Sequence, residues 1–107
     1  MGLRSWLTPI GTKSEWEELS KAINEGEYSY GIAYVIQLNK KLLDFDKDTV
    51  VVAWSGDGSG SLDEVPSKFA ENTLYLDNVL DECPSFKKPP KFGKMFSEPE
   101  EVLEVLK

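Results

Sequence analysis

Val50, Val51, Val52, Ala53 and Trp54 form an unbroken apolar run that stops at SGDGSG, and no other stretch of the chain restricts the fold as much. A strand with one wet face alternates apolar and polar residues. A β-branched run without alternation predicts burial on both faces, and therefore a central place in a sheet. Residues 49–55 are read as that strand. Gly56, Gly58 and Gly60 alternate with Asp57, Ser59 and Ser61 just beyond it. Glycines admit positive φ, and the short polar side chains bond neighbouring amides, so a tight or mobile loop is expected there.

The rest of the chain supplies what such a strand needs. Leu3, Trp6, Leu7 and Ile10, broken by Pro9 and Gly11, read as an apolar arm docked on the core. Ser14 to Glu17 has the S-x-x-E form of a capping box. Trp16, Leu19, Ala22 and Ile23 follow at helical spacing and Gly26 offers a left-handed stop, which predicts a helix over 15–25. From Tyr28, alternate residues run Tyr28, Tyr30, Ile32, Tyr34, Ile36 and Leu38. That period of two predicts a strand over 28–38. A helix through Ile32, Val35, Ile36, Asn39, Leu42 and Leu43 competes for residues 28–43.

Pro66, Ser67 and Phe69 suggest a short helix between Asp63 and Glu71, and residues 73–76 return to strand. Ser97 to Glu100 repeats the capping box, and Val102, Leu103, Val105 and Leu106 give a helix over 98–106 an apolar face. The expected fold is one domain over residues 1–107, α+β or small α/β. A single sheet of three to four strands would carry the N-terminal and C-terminal helices. Whether strands 49–55 and 73–76 are parallel is left open by these patterns.

Several chemistries are ruled out by residue type. The chain has no histidine and one cysteine. Ser-His-Asp and Cys-His nucleophile pairs, Cys/His zinc sites and histidine acid–base catalysis are therefore closed to a single copy. Cys83 follows Asp81 and Glu82, whose charges disfavour a reactive thiolate. SGDGSG lacks the Gly-Lys-Ser/Thr ending of a phosphate loop and the third glycine of a dinucleotide fingerprint, and Asp57 within it repels phosphate. The residue two before Ser59 is Asp57, so no nucleophile elbow is present. Asp44, Asp46 and Asp48 begin like a calcium loop, but Thr49 and Ser55 stand where glycine and glutamate belong, which leaves a solvated turn. The pattern argues against an enzyme and implies no metal and no cofactor.

No apolar run approaches the ~20 residues of a membrane span, and MGLRSWLTPIG lacks the apolar core of a secretion signal. Leu7 occupies the position where a myristoylation signal requires serine or threonine. These features lead us to expect a cytoplasmic protein without a membrane partner.

Charge is the remaining guide. The net charge is −7, yet Lys87, Lys88, Lys91 and Lys94 lie in an acid-free stretch, leaving −11 on everything else. Such a body repels nucleic acid and attracts basic proteins. The expected function is a small acidic protein-binding module, an inhibitor or immunity protein neutralising a basic toxin or nuclease being its most concrete form. Its expected contact residues are Trp54, Asp57, Asp63 and Glu64 after the central strand, with Asp77, Asp81 and Glu82 after the next. If the two strands were parallel neighbours, these groups would share one carboxyl edge of the sheet. Two alternatives stand beside this one. The Gly56–Gly60 loop would bind an anion or small ligand in an α/β domain. Phe86, Phe92 and Phe96 among four lysines would stack single-stranded nucleic acid.

Overall fold

The computed structural model describes residues 3–42, 44–75, 93–96 and 98–107. Five strands are described: β1 (Leu3–Ile10), β2 (Ser29–Leu38), β3 (Val50–Asp57), β4 (Leu74–Tyr75) and β5 (Gly93–Met95). They form one sheet in the order β4-β1-β3-β2-β5, and every pairing is antiparallel. The class is thus α+β, and the sheet has five strands rather than three or four. The small α/β alternative falls because, among the described residues, no two neighbouring strands are parallel.

The valine run is central, as its composition requires. β3 is flanked by β1 along all eight of its residues and by β2 on the other side. Val51 and Val52 point to opposite faces and both are fully buried. Burying side chains of this size stabilises by roughly 1.5–3 kcal/mol each. The N-terminal arm is itself a strand, paired with β3 from Leu3↔Asp57 to Ile10↔Val50. Its apolar residues are not evenly spaced, because Thr8 occupies an inward position. That position is buried: Trp54 Nε1 donates to Thr8 Oγ1 at 2.8 Å, Thr8 lies 2.8 Å from Thr73 Oγ1, and Thr73 donates to the Phe69 carbonyl at 2.7 Å. Each hydroxyl in the relay has a partner, so the polar atoms are tolerated in the core.

Helix α1 (Lys13–Glu25) starts two residues before the expected boundary. Thr12 is the cap. Its Oγ1 accepts from Glu15 N at 3.1 Å, while Glu15 reaches back to Gly11 N at 3.2 Å. The operative capping box is therefore Thr12 to Glu15, not Ser14 to Glu17. Nor does Gly26 end the helix in a left-handed turn, since its φ is −69°. Glycine is required there by proximity: a Cβ would strike the Glu64 carboxylate and lie 2.9 Å from the Ala22 carbonyl oxygen.

Short helices α2 (Gly58–Asp63) and α3 (Ser67–Ala70) connect β3 to β4, and α4 (Pro99–Val105) closes the described chain. The last helix begins at Pro99 after an N-cap at Glu98 that makes no side-chain bond. Ser97, the expected cap, lies outside the described residues.

On one face of the sheet, Trp6, Val35, Val52 and Trp54 pack with Leu19 and Ile23 of α1, Phe69 of α3, and Val102 and Leu106 at the C-terminus. Leu7, Tyr34, Ile36, Leu38, Val51, Ala53 and Phe45 form the opposite cluster. Lys107 N bonds Gly11 O at 3.3 Å, tying the chain's end to the β1–α1 turn.

Ser29–Leu38 form a strand, one residue shorter than the expected 28–38, so the competing helix does not form. The alternation is broken, however. Register shifts against β3 fall between Ser29 and Gly31 and between Ile32 and Tyr34, and Gly31 has φ of 126°. These bulges put Ile32 with the helix-side cluster and Tyr34 with the opposite one, although the two residues are two apart. Among the described residues, no helix is long and apolar enough to cross a membrane.

Candidate functional site

The glycine segment does not form an open loop. β3 runs on through Gly56 to Asp57, and Gly58, with φ of 63°, turns the chain into α2. That turn lays α2 against the entry to β2, and the contact is tight. A Cβ on Gly56 would collide with Ser61 and sit 2.9 Å from the Tyr28 carbonyl oxygen. Ser61, fully buried, donates its hydroxyl to that same oxygen at 2.5 Å, and Asp57 N donates to it at 2.7 Å. Tyr28 N in turn donates to both oxygens of Glu64, at 3.1 and 3.2 Å, and Ser29 Oγ donates to Glu64 at 3.2 Å.

The main chain at Tyr28 is thereby fixed from both sides, while the Tyr28 ring remains 46% exposed, beside Gly60. Tyr30, at the first bulge, is 64% exposed. Asp57 is half-buried and Asp63 is exposed on α2, while Glu25 at the end of α1 and Glu27 in the turn leading to Tyr28 are both exposed. The result is an aromatic corner bordered by carboxylates. Exposed tyrosines held by a rigid backbone make good contact anchors, because little conformational freedom remains to be lost on binding.

Of the residues expected to meet a partner, Asp57 and Asp63 flank this corner. Glu64 is at the corner too, but its carboxylate is occupied in holding the turn. Trp54 is 0% exposed, with its ring 4.6 Å from that of Trp6 and its N–H bonded to Thr8. It is a core residue and offers no surface anchor. Asp77, Asp81 and Glu82 lie outside the described residues. β3 and β4 do run in the same direction, but β1 stands between them, so they are not the neighbours that a single rim required. Of the basic stretch, Phe86, Lys87, Lys88, Lys91 and Phe92 also lie outside the described residues. Lys94 is exposed on β5, and Phe96 is half-buried against the helix-side core.

Tyr28 and Tyr30 escaped sequence reasoning because unbroken alternation placed them on the same face as Ile36 and Leu38. Gly31, in the middle of the strand, was the available sign of a bulge.

A groove of about 490 Å³ lies between α1, β2 and the C-terminal segment. Its walls include Trp16, Ile32, Val35, Phe96 and Val102, with Ser20, Asn24, Tyr34 and Glu98 as the members that carry polar side chains. Trp16, Ser20 and Asn24 recur every four residues and so share one side of α1.

Among the described residues, no group of three or more histidine, cysteine, aspartate or glutamate side chains is placed to hold a metal ion. The Asp44–Asp48 segment is a closed turn in which Leu42 and Phe45 pair and Asp48 N bonds Leu38 O at 2.8 Å. Comparison with protein-family models, with curated proteins and with solved structures finds no match to this chain.

Proposed function

We propose that this protein is an acidic binding module that captures a basic protein partner at the corner formed by Tyr28, Tyr30, Asp57 and Asp63. The observation that carries the reading is Tyr28, whose main chain is bonded at both N–H and carbonyl while its ring stays half exposed. Arginine and lysine side chains suit such a surface, since they stack on tyrosine faces and meet carboxylates at the rim. The net charge of −7 adds long-range attraction for a cationic surface. An inhibitor that covers the phosphate-binding surface of a nuclease or other basic toxin is the most concrete form of this activity.

The test begins with recovery of the stoichiometric partner from the native host by affinity capture and mass spectrometry. Binding kinetics then compare Asp57→Lys/Asp63→Lys with a control reversal, Asp44→Lys/Asp46→Lys, at the opposite end of the sheet. The first pair is expected to slow association and flatten its salt dependence, the second to do so only weakly. Equal losses would mean that net charge alone matters, and unchanged binding in the first pair would discard the corner.

A further inference from the structure

The groove beside the corner is apolar on most of its surface. The Ser20 hydroxyl is turned back to Trp16 O at 2.6 Å, which leaves Asn24, Tyr34 and Glu98 as the other lining residues with polar side chains, Glu98 alone among them a carboxylate. Glu98 is exposed, and its charge lies at the edge of walls made by Trp16, Ile32, Phe96 and Val102. A pocket with apolar walls and one carboxylate suits an apolar group carried next to a cation. A second copy of this chain fits poorly, because it brings another −7 to a surface already negative.

The same strand links groove and corner. Ile32 and Val35 follow Tyr30 on β2 by two and five residues, roughly 7–17 Å along a strand. β5 covers only Ile36 to Leu38 of that edge, with one further bond from Phe96 N to Val35 O. Ser29 to Ala33 therefore pair with β3 alone among the described residues. The two bulges within this stretch spoil the even ladder that an added strand would need, so recognition there falls to side chains.

We propose that the groove takes an apolar side chain from an extended segment of the basic partner, with a flanking lysine or arginine meeting Glu98. The proposal rests on the reading of this protein as a binder of basic proteins, and it adds the sequence character of the bound segment. About five extended residues span the distance from Tyr30 to the groove.

The test is ¹⁵N-resolved NMR titration of the intact protein with three blocked peptides at about 1 mM, a level that reports weak affinity. The probes are Arg-Leu-Arg-Phe-Arg, Glu-Leu-Glu-Phe-Glu and Arg-Ser-Arg-Ser-Arg. The first should shift the Trp16 indole, Ile32 and Val102, and the other two should leave them in place. Glu98→Lys, a change at an exposed position, should weaken the first peptide roughly fivefold, as reversal of one exposed charge pair allows. Ser20→Phe, which fills the groove, should abolish the shifts while β3 resonances stay unchanged.

Shifts at Tyr28 and Tyr30 without any in the groove would overturn this inference and leave the corner standing, whereas no shifts anywhere would count against both. Equal response to the acidic or serine peptide would overturn it as well. So would groove shifts that appear on raising protein concentration without peptide, since those would make a second copy the occupant.

Discussion

Substitution of the three glycines after β3 separates three physical reasons for their presence. At Gly56 an added methyl has no room: Ser61 is in collision range and the Tyr28 carbonyl oxygen, a backbone atom, is 2.9 Å away. Relief requires moving α2 off β2 and stretching the Ser61–Tyr28 bond, so Gly56→Ala should cost about 1–3 kcal/mol from overpacking. Loss of that partly buried bond adds about 1 kcal/mol. At Gly58 there is open space, but φ is 63°, and Ala should cost about 1–2 kcal/mol in the left-handed region.

Gly60 has no positive φ, and its methyl would meet the edge of the Tyr28 ring at 3.3 Å. The ring can yield there, and the roughly 0.5–1 kcal/mol gained by Ala over Gly in a helix offsets the displacement, so the net change should be small. Urea unfolding followed by tryptophan fluorescence should therefore order the losses Gly56→Ala, then Gly58→Ala, then Gly60→Ala, with unchanged m-values. Ser61→Gly added to Gly56→Ala should recover only part of the loss, because the Tyr28 carbonyl remains. A harmless Gly56→Ala, or full recovery by Ser61→Gly, would refute the close-approach account.

Thr8→Val keeps the shape of the buried side chain but removes the acceptor of the Trp54 N–H. It should destabilise by about 1–3 kcal/mol, and a cycle with Thr73→Val should show coupling of roughly 0.5–1 kcal/mol, measured by the same unfolding assay. Strict additivity would mean that the relay does not act as a unit. Glu64→Ala frees Tyr28 N and Ser29 Oγ and should cost about 1 kcal/mol or more, with faster amide exchange at Tyr28. An exchange rate equal to the wild type would show that Glu64 does not hold the turn. Exchange protection across the sheet should peak in residues 50–54 of β3. In the complex, Tyr28→Ala should weaken partner binding by about 1–2 kcal/mol in calorimetry while leaving the urea midpoint nearly unchanged.

The sequence by itself determined which segments are helix and which are strand wherever the signal is local. The valine run declared a strand buried on both sides, the 3.6-residue spacing of Trp16, Leu19 and Ile23 declared α1, and alternation declared β2. Those signals arise from side-chain sterics and burial within a few residues. Strand order is different in kind. That β1 lies between β3 and β4, and that Thr8 is an inward residue, depend on contacts such as Thr8 with Thr73 and Trp54, 65 and 46 residues apart. The candidate site belongs to the same class. Trp54 turns inward because Trp6 and Thr8 receive it, and the rim carboxylate of Glu64 is drawn 36 residues back to Tyr28. Tyr34, Ile36 and Leu38 share one face as alternation requires, but the bulge between Ile32 and Tyr34 sets Ile32 against the helix side, and Tyr30, at the first bulge, is exposed. Periodicity records what a residue is suited to; only the assembled packing decides which partner satisfies it, because pairing energies come from groups distant in the chain.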